Sequence, residues 1–368
     1  MKRRHFLASS SASLLATLLG SSTLLAGAPA HAANPTGWRM PDEGEPHAAT
    51  WLAFGASEAI WGRKLLAGAR DSQARIAAAV ADYETVNMLV REQDYDLAYR
   101  LCGAAANLVL APLDDLWLRD SGPLFVEDAQ GQRAAIDFNF NGWGNKQTHA
   151  NDARVAARVA SHTRTPLLHT RLVLEGGGIE VDGEGTAIIT ESCVLNRNRN
   201  PGLSKAACEA ELKRLLGLQK IIWLPGIAGR DITDGHTDFY ARFAGPGVVV
   251  VHSDTDPASY DYAVTRRHLE ILKTATDARG RKLQLIVIPG ARSTRPRYRN
   301  ADFAAGYVNF YVCNHAVIAP QFGDTGADRY CRDALRDAFP DRDVVQLDID
   351  AIAAGGGGIH CVTQQQPA

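Results

Sequence analysis

The sequence predicts an α/β fold, a single domain formed as a closed, five-bladed ring of ββαβ modules. Two observations predict it. A helix, a short β-rich run and a pair of strands about a turn recur roughly five times along the chain. At the entry to each strand pair stands one polar, chemically capable residue: Asp120, Glu175, His236, Asn309 and Cys361. A length of 368 residues would otherwise divide into about two domains, but a repeat with this spacing closes on itself as one unit.

At the start of the chain Lys2, Arg3 and Arg4 precede Phe6-Leu7. A mildly apolar stretch runs from Ala8 to Gly27, and Ala30-His31-Ala32 closes it. This is the pattern of an export signal with a small-residue cleavage site after Ala32. The order Arg3-Arg4-x-Phe6-Leu7 ahead of a weakly apolar core resembles the twin-arginine class, whose cargo travels folded. Residues 1–32 are therefore expected to be a twin-arginine-type signal peptide, residues 33–368 the domain, and the location periplasmic or secreted. An uncleaved anchor is the alternative, but the stretch lacks the ~20 strongly apolar residues of a span, and no later segment supplies one.

Apolar residues at helical spacing mark helices around Ser72–Asp82, Asp152–His162, Ser204–Leu216, Ser259–Thr276 and Ala327–Phe339. Each is followed by a run of strand length and composition: Val86–Val90, Leu167–Arg171, Ile221–Leu224, Leu283–Ile288 and Val344–Asp348. The clearest hairpins are Gly178–Ile189 about Asp182-Gly183-Glu184-Gly185, Asp238–Val251 about Gly245-Pro246-Gly247, and Val308–Ala319 about Cys313-Asn314-His315. A second helical stretch near Asp94–Cys102 sets the first module apart. Ring closure is expected to pair Ile359–Thr363 with Thr50–Phe54, leaving no exposed edge.

Composition narrows the function. Hydrophobic residues at 46% and charged residues at 22% place the chain among globular proteins. Its 39 basic and 41 acidic side chains leave a net charge of -2; without residues 1–32 the balance is 36 against 41, or -5. Such a surface has no excess with which to grip phosphates, so nucleic acid is not an expected partner. The six cysteines are irregularly spaced with no C-x-x-C pair, which suggests neither a zinc site nor a disulfide framework; most read as small buried hydrophobes. No metal or organic cofactor is expected, and a homo-oligomer is left open.

In a ring the five entry positions, separated by 55, 61, 73 and 52 residues, converge on the axis. Carboxylates, an imidazole and a thiol that are remote in sequence are thereby brought together. Glycines flank most of them, at Gly122, Gly176–Gly178, Gly235 and Gly355–Gly358, where close backbone approach is useful.

Four segments then carry a family resemblance. Asp114-Asp115-Leu116-Trp117-Leu118-Arg119-Asp120-Ser121-Gly122-Pro123, Leu174-Glu175-Gly176-Gly177-Gly178, Thr233-Asp234-Gly235-His236-Thr237-Asp238 and Gly356-Gly357-Gly358-Ile359-His360-Cys361-Val362-Thr363-Gln364-Gln365 resemble the motifs of agmatine deiminases and the related bacterial peptidyl-arginine deiminases. The resemblance runs from about Trp38 to Gln366 with the motifs in order, and it implies the pentein-like five-bladed propeller of guanidine-modifying enzymes. It also implies roles. Asp120 and Asp238 would bind the N–H edges of a guanidinium and keep its charge. Cys361 would attack the central carbon as a thiolate, its pKa lowered by nearby cations including the substrate. His236 would serve the departing ammonia as acid and the incoming water as base, with Glu175 orienting it. Trp117 reads either as core or as a wall for the substrate's methylene chain. Asp114, Asp231 and Asp234 are the acids expected near a substrate ammonium, and Asn309 is the remaining axial polar residue expected to face substrate.

Two departures bear on specificity: Gly358 stands where agmatine deiminases usually carry Asn, and Arg230-Asp231-Ile232 precedes the His236 motif where they carry acids. Arg292, Arg295, Arg297 and Arg299 lie in a loop that reads as a lid or as a solvated surface. The expected activity is an exported agmatine deiminase that yields N-carbamoylputrescine and ammonia through a cysteine-bound amidino intermediate. The alternatives are an arginine or C-terminal peptidyl-arginine deiminase yielding citrulline, and an inactive guanidine-binding protein.

Overall fold

The computed structural model describes residues 37–368; the expected signal peptide lies outside the described residues. Among these, sixteen strands form five sheets. β1 (His47–Phe54), β2 (Val86–Val90) and β3 (Asn107–Leu110) are parallel neighbours. The next four sheets share one plan: β4 (Leu124–Glu127), β5 (Arg133–Asp137) and β6 (Leu167–His169); β7 (Ile179–Val181), β8 (Thr186–Thr190) and β9 (Lys220–Leu224); β10 (Ala241–Gly245), β11 (Val248–Ser253) and β12 (Gln284–Pro289); β13 (Tyr311–Cys313), β14 (Ala316–Gln321) and β15 (Asp343–Asp348). In each, the first two strands form an antiparallel hairpin and the third returns parallel to the second across a helix. β16 (Gln364–Pro367) pairs antiparallel with β1 and completes the fifth blade from both parts of the chain. The architecture is a five-bladed α/β propeller.

The local reasons are legible. The middle strands carry Ala-Ala-Ile, Ala-Ile-Ile, Val-Val-Val and Ala-Val-Ile-Ala at fully buried positions, as a strand covered on both faces requires. The helix Lys205–Leu216 starts at Ser204, whose side chain accepts from Ala207 N at 3.2 Å. It ends at Gly217, with φ +71° and a Cβ position only 2.3 Å from Trp38 O, so no larger residue fits. The helix Thr325–Ala338 is capped in the same way by Asp324.

Two expectations are corrected. The first module's helix begins at Glu58, not near Ser72, and runs to Ala81 across a kink at Gly62 (φ +60°) that interrupts the apolar periodicity. Closure uses Gln364–Pro367 against His47–Trp51, while Ile359–Val362 is a single helical turn. The glutamine strand is held by side chains as well as by its ladder: Gln365 Oε1 accepts from Arg119 Nη1 at 2.7 Å, and Gln366 Oε1 from Trp51 Nε1 at 2.9 Å.

The axis is polar and ion-paired. Glu43, on the segment before β1, accepts from Arg119 Nη2 (2.8 Å) and His360 Nε2 (2.9 Å) at one oxygen, and from Arg242 Nη2 (2.7 Å) and Val312 N (2.9 Å) at the other. Arg242 also reaches Glu180 at 2.7 Å and Phe310 O at 2.6 Å. All five blades contribute to this network. Burial opposes charge on Glu43, but Arg242, His360 and Arg119 outweigh it and hold the carboxyl well below its ordinary range. Arg242→Ala leaves Glu43 and Glu180 buried without their shared cation, and a loss of about 3–5 kcal/mol is expected. Urea unfolding checks this; a change within about 0.5 kcal/mol would remove the network from the basis of stability.

Candidate active site

Each inner strand is entered through a tight turn. Leu118–Ser121, Gly176–Gly178, Thr237–Phe239 and Ile359–Val362 are single helical turns just ahead of β4, β7, β10 and β16. They carry Asp120, Glu175 at the N-terminal boundary of its turn, His236 and Asp238, and Cys361. Asn309 stands two residues ahead of β13. The repeat thus delivers the five expected catalytic side chains and Asn309 to one buried place.

Gly177 marks its centre. A Cβ there would lie 2.6 Å from His236 Nδ1, 2.9 Å from Asp120 Oδ1 and 3.0 Å from Asp238 Oδ2. Asp120 accepts from Gly177 N at 3.1 Å and, through its other oxygen, from Trp143 Nε1 at 2.8 Å. Cys361 Sγ lies 3.5 Å from Asp238 Oδ2 and 3.2 Å from Asn309 Nδ2. His236 Nδ1 and Asp238 Oδ1 are buried with no hydrogen-bond partner, which leaves one nitrogen and one carboxylate oxygen for a ligand.

Behind His236 stands a supporting chain. Its Nε2 is 3.2 Å from Glu175 Oε2; both Glu175 oxygens accept from Arg199 Nε at 2.9 Å, and Arg199 Nη1 reaches Asp234 at 2.7 Å. Cys193 Sγ also contacts Glu175 at 3.5 Å, so this cysteine belongs to the site's support. Donor atoms of Glu175, Cys193 and His236 lie within 4.8 Å of one another, a spacing open to a divalent ion; here the Arg199 guanidinium supplies the balancing charge.

The electrostatics follow from burial among acids. Burial pushes Asp120 up to about 6, against the attraction of His236. For Asp238 burial is outweighed by His360 and His236, and for Glu175 by His236 and Arg199, so both stay below the ordinary carboxylate range. Burial disfavours charge on His236, but Asp120, then Cys193 and Glu175, prevail and raise it well above its ordinary value, favouring an imidazolium whose Nδ1 lies beside Gly177. Cys361 is pushed well above its ordinary value by burial, then by Asp238 and Asp120. This corrects the expectation of a lowered thiol in the free protein: carboxylates outnumber cations at the sulfur until a cation arrives.

The expected binding residues fare differently. Trp117 Nε1 and Trp61 Nε1 donate to the two oxygens of Asp115 at 3.0 and 2.7 Å, and the rings stack with centroids 5.6 Å apart. The stack fills the space beside the glycine run before Cys361: Cβ positions at Gly355 and Gly357 would lie 2.4 and 2.2 Å from the Trp61 and Trp117 rings, and one at Gly358 would lie 2.3 Å from Asn309 Oδ1. Asn309 Oδ1 accepts from His360 N at 3.0 Å and its Nδ2 lies 3.2 Å from Cys361 Sγ; its amide holds the turn that carries Cys361. Asp114 accepts from Asn151 N, Asn151 Nδ2 and Asp152 N at 2.6, 2.9 and 3.1 Å. Asp234 is taken by Lys146, Asn198, Gly229 N and Arg199. Neither acid is free for a substrate ammonium, because each is spent on loop architecture.

Sequence reasoning missed Glu43, Trp61, Trp143, Cys193 and Arg199. Trp143 had a signal in its Gly142-Trp143-Gly144 setting; Arg199, inside Asn196-Arg197-Asn198-Arg199-Asn200, carried none beyond an unusual polar run.

The fold and this site define a guanidine-modifying enzyme, a hydrolase acting on C–N bonds of linear amidines. The chain belongs to the Porphyromonas-type peptidyl-arginine deiminase family, which matches residues 39–367. It is 44% identical to a Streptomyces coelicolor relative over 338 residues, 90% of this chain and 99% of that one. It is 37% identical to the agmatine deiminase of Medicago truncatula over 363 residues, 90% of this chain and 97% of that protein. The solved agmatine deiminase of Enterococcus faecalis superposes with a TM-score of 0.85 at 30% identity, covering 92% of this chain and 98% of that one.

Gly177→Ala tests the geometry. A methyl 2.6–3.0 Å from three site atoms should lower kcat/KM by about 100-fold or more while circular dichroism and solubility stay normal. Wild-type kinetics in this variant would show that substrate does not occupy this centre.

Proposed function

We propose that this protein is an agmatine deiminase, releasing ammonia and N-carbamoylputrescine through an amidino intermediate on Cys361. The observation that carries the reading is the meeting of Asp120, Asp238, His236 and Cys361 about Gly177. A guanidinium seated between the carboxylates brings the positive charge that the sulfur lacks, and the thiol gives up its proton to solvent to become the attacking thiolate. Sulfur attacks the guanidinium carbon to give a tetrahedral adduct. His236, the imidazolium, passes a proton to one amino nitrogen, the C–N bond breaks and ammonia leaves. Water then adds to the amidino carbon while His236 takes its proton; the C–S bond breaks, returning the sulfur and releasing the urea product.

Agmatine is preferred over arginine on charge. The site is ringed by carboxylates, and the arginines nearest the axis are already committed: Arg119 to Glu43, Arg199 to Glu175 and Asp234, Arg242 to Glu43 and Glu180. Arg295 of the basic loop pairs with Asp348 and Asp350. Burying the α-carboxylate of arginine without a cationic partner is costly. The agmatine deiminase relatives add to this reading.

Ammonia release should be seen with agmatine, weakly or not at all with arginine or a peptide ending in arginine, and should vanish in Cys361→Ala. Mass spectrometry of enzyme quenched during turnover should place the amidino adduct on the peptide containing Cys361. Faster turnover of arginine would reverse the choice of substrate, and an adduct elsewhere would reverse the choice of nucleophile.

We also infer export by the twin-arginine route, on the strength of Arg3-Arg4-x-Phe6-Leu7 and Ala30-His31-Ala32. No helix among the described residues is long and apolar enough to cross a membrane. In Arg3→Lys/Arg4→Lys the chain should remain inside the cell, as read by fractionation; processed protein outside would count against this route.

A further inference from the structure

His360 precedes the nucleophile, and the reaction as written gives it no task. Its side chain is 2% exposed. Nδ1 lies 2.8 Å from Asp238 Oδ2 and Nε2 lies 2.9 Å from Glu43 Oε2. The ring thus bridges two buried carboxylates, one at each nitrogen. The ring is fixed from two further directions: its backbone N donates to Asn309 Oδ1 at 3.0 Å, and its carbonyl accepts from Arg119 Nε at 3.3 Å.

The consequence falls on Asp238. A carboxylate held at neither oxygen rotates about its Cβ–Cγ bond, and a bidentate or edge-on contact with a planar guanidinium is lost with a modest rotation. Here Oδ2 is held by His360, and Oδ1 is left buried and without a partner. Gly177 N and Trp143 Nε1 play the corresponding part at Asp120, one on each oxygen. Among the described residues, His360 is the only nitrogen donor to the Asp238 side chain; Cys361 Sγ lies 3.5 Å from the same oxygen.

We propose that His360 is the positioning residue that fixes the rotation of the Asp238 carboxylate so that Oδ1 faces the guanidinium, with Glu43 anchoring the ring from behind. This deepens the deiminase reading and rests on it for the identity of the ligand. His360 itself touches neither the guanidinium nor the attacking sulfur. It sets the angle of a group that does, and it connects that group to the ion-paired axis of the propeller.

Two substitutions separate positioning from simple support. The amide of His360→Asn reproduces a donor near Nδ1 and loses Glu43; that of His360→Gln reproduces a donor near Nε2 and loses Asp238. Each variant forfeits one carboxylate contact, so their thermal midpoints should fall by similar amounts. Activity should not fall alike: kcat/KM for agmatine is expected to drop about 100-fold in His360→Gln and to stay within about tenfold of wild type in His360→Asn.

A second readout needs no turnover. Alkylation of Cys361 by iodoacetamide, with millimolar guanidinium ion as protector, reports occupancy of the Asp238 edge. The concentration for half-protection should rise about tenfold or more in His360→Gln alone. Equal kcat/KM losses in the two variants, or losses that track their thermal midpoints, would overturn the proposal. If wild type does not turn over agmatine but guanidinium protection still divides the variants, the substrate reading fails and the positioning role stands.

Discussion

The fold depends on one buried carboxylate, that of Glu43. Glu43 accepts from side chains or backbone of four blades and stands one contact away from the fifth, through Arg242 and Glu180. A ring of five blades leaves an axial space too crowded with inner strands for apolar filling alone, because each strand brings unsatisfied polar groups to its entry. The chain answers with buried ion pairs. Such pairs contribute little net stability over an apolar core, but they are expensive to leave half made, so blades with these complementary charges fit together in one arrangement. The same ions set the charge of the site above them. Arg242 and His360 favour the ionised form of Asp238, and Arg119 fixes the carbonyl beside the nucleophile.

The site is consequently an electrostatic mould for a cation. Three buried carboxylates surround one imidazolium, and burial, together with Asp238 and Asp120, raises the Cys361 thiol well above its ordinary value. A cation seated between Asp120 and Asp238 would relieve the penalty that burial and these acids place on the Cys361 thiolate.

The repeat, the blade plan and the meeting of Asp120, Glu175, His236, Asn309 and Cys361 were legible because each rests on local pattern, whereas Asp238 entered only with the family motif. Strand and helix periodicity reveal the module, and one polar residue at a fixed place in each module reveals the axis. What stayed hidden depends on contacts between modules. Asp114 and Asp234 look free in their motifs, yet one caps the Asn151–Asp152 turn and the other sits at φ +65° under Arg199 and Lys146. Arg199 and Glu43 have no periodic signature, since their partners lie tens to hundreds of residues away. The closing strand was displaced for the same reason: Gln364-Gln365-Gln366 is a poor strand by composition and is held by Arg119 and Trp51 from other parts of the chain.

The pairing of β1 with β16 joins the earliest strand of the propeller to the latest, with Thr50 opposite Gln365. During synthesis β1 therefore waits, one edge open, while four complete blades form. The turn bearing Cys361 directly precedes β16 and takes its shape from Asn309 and Arg119. A nascent chain that has folded all of its other blades still has no catalytic centre. Competence arrives in one late event, when the last strand docks, and chemistry is thereby withheld from every partly made copy.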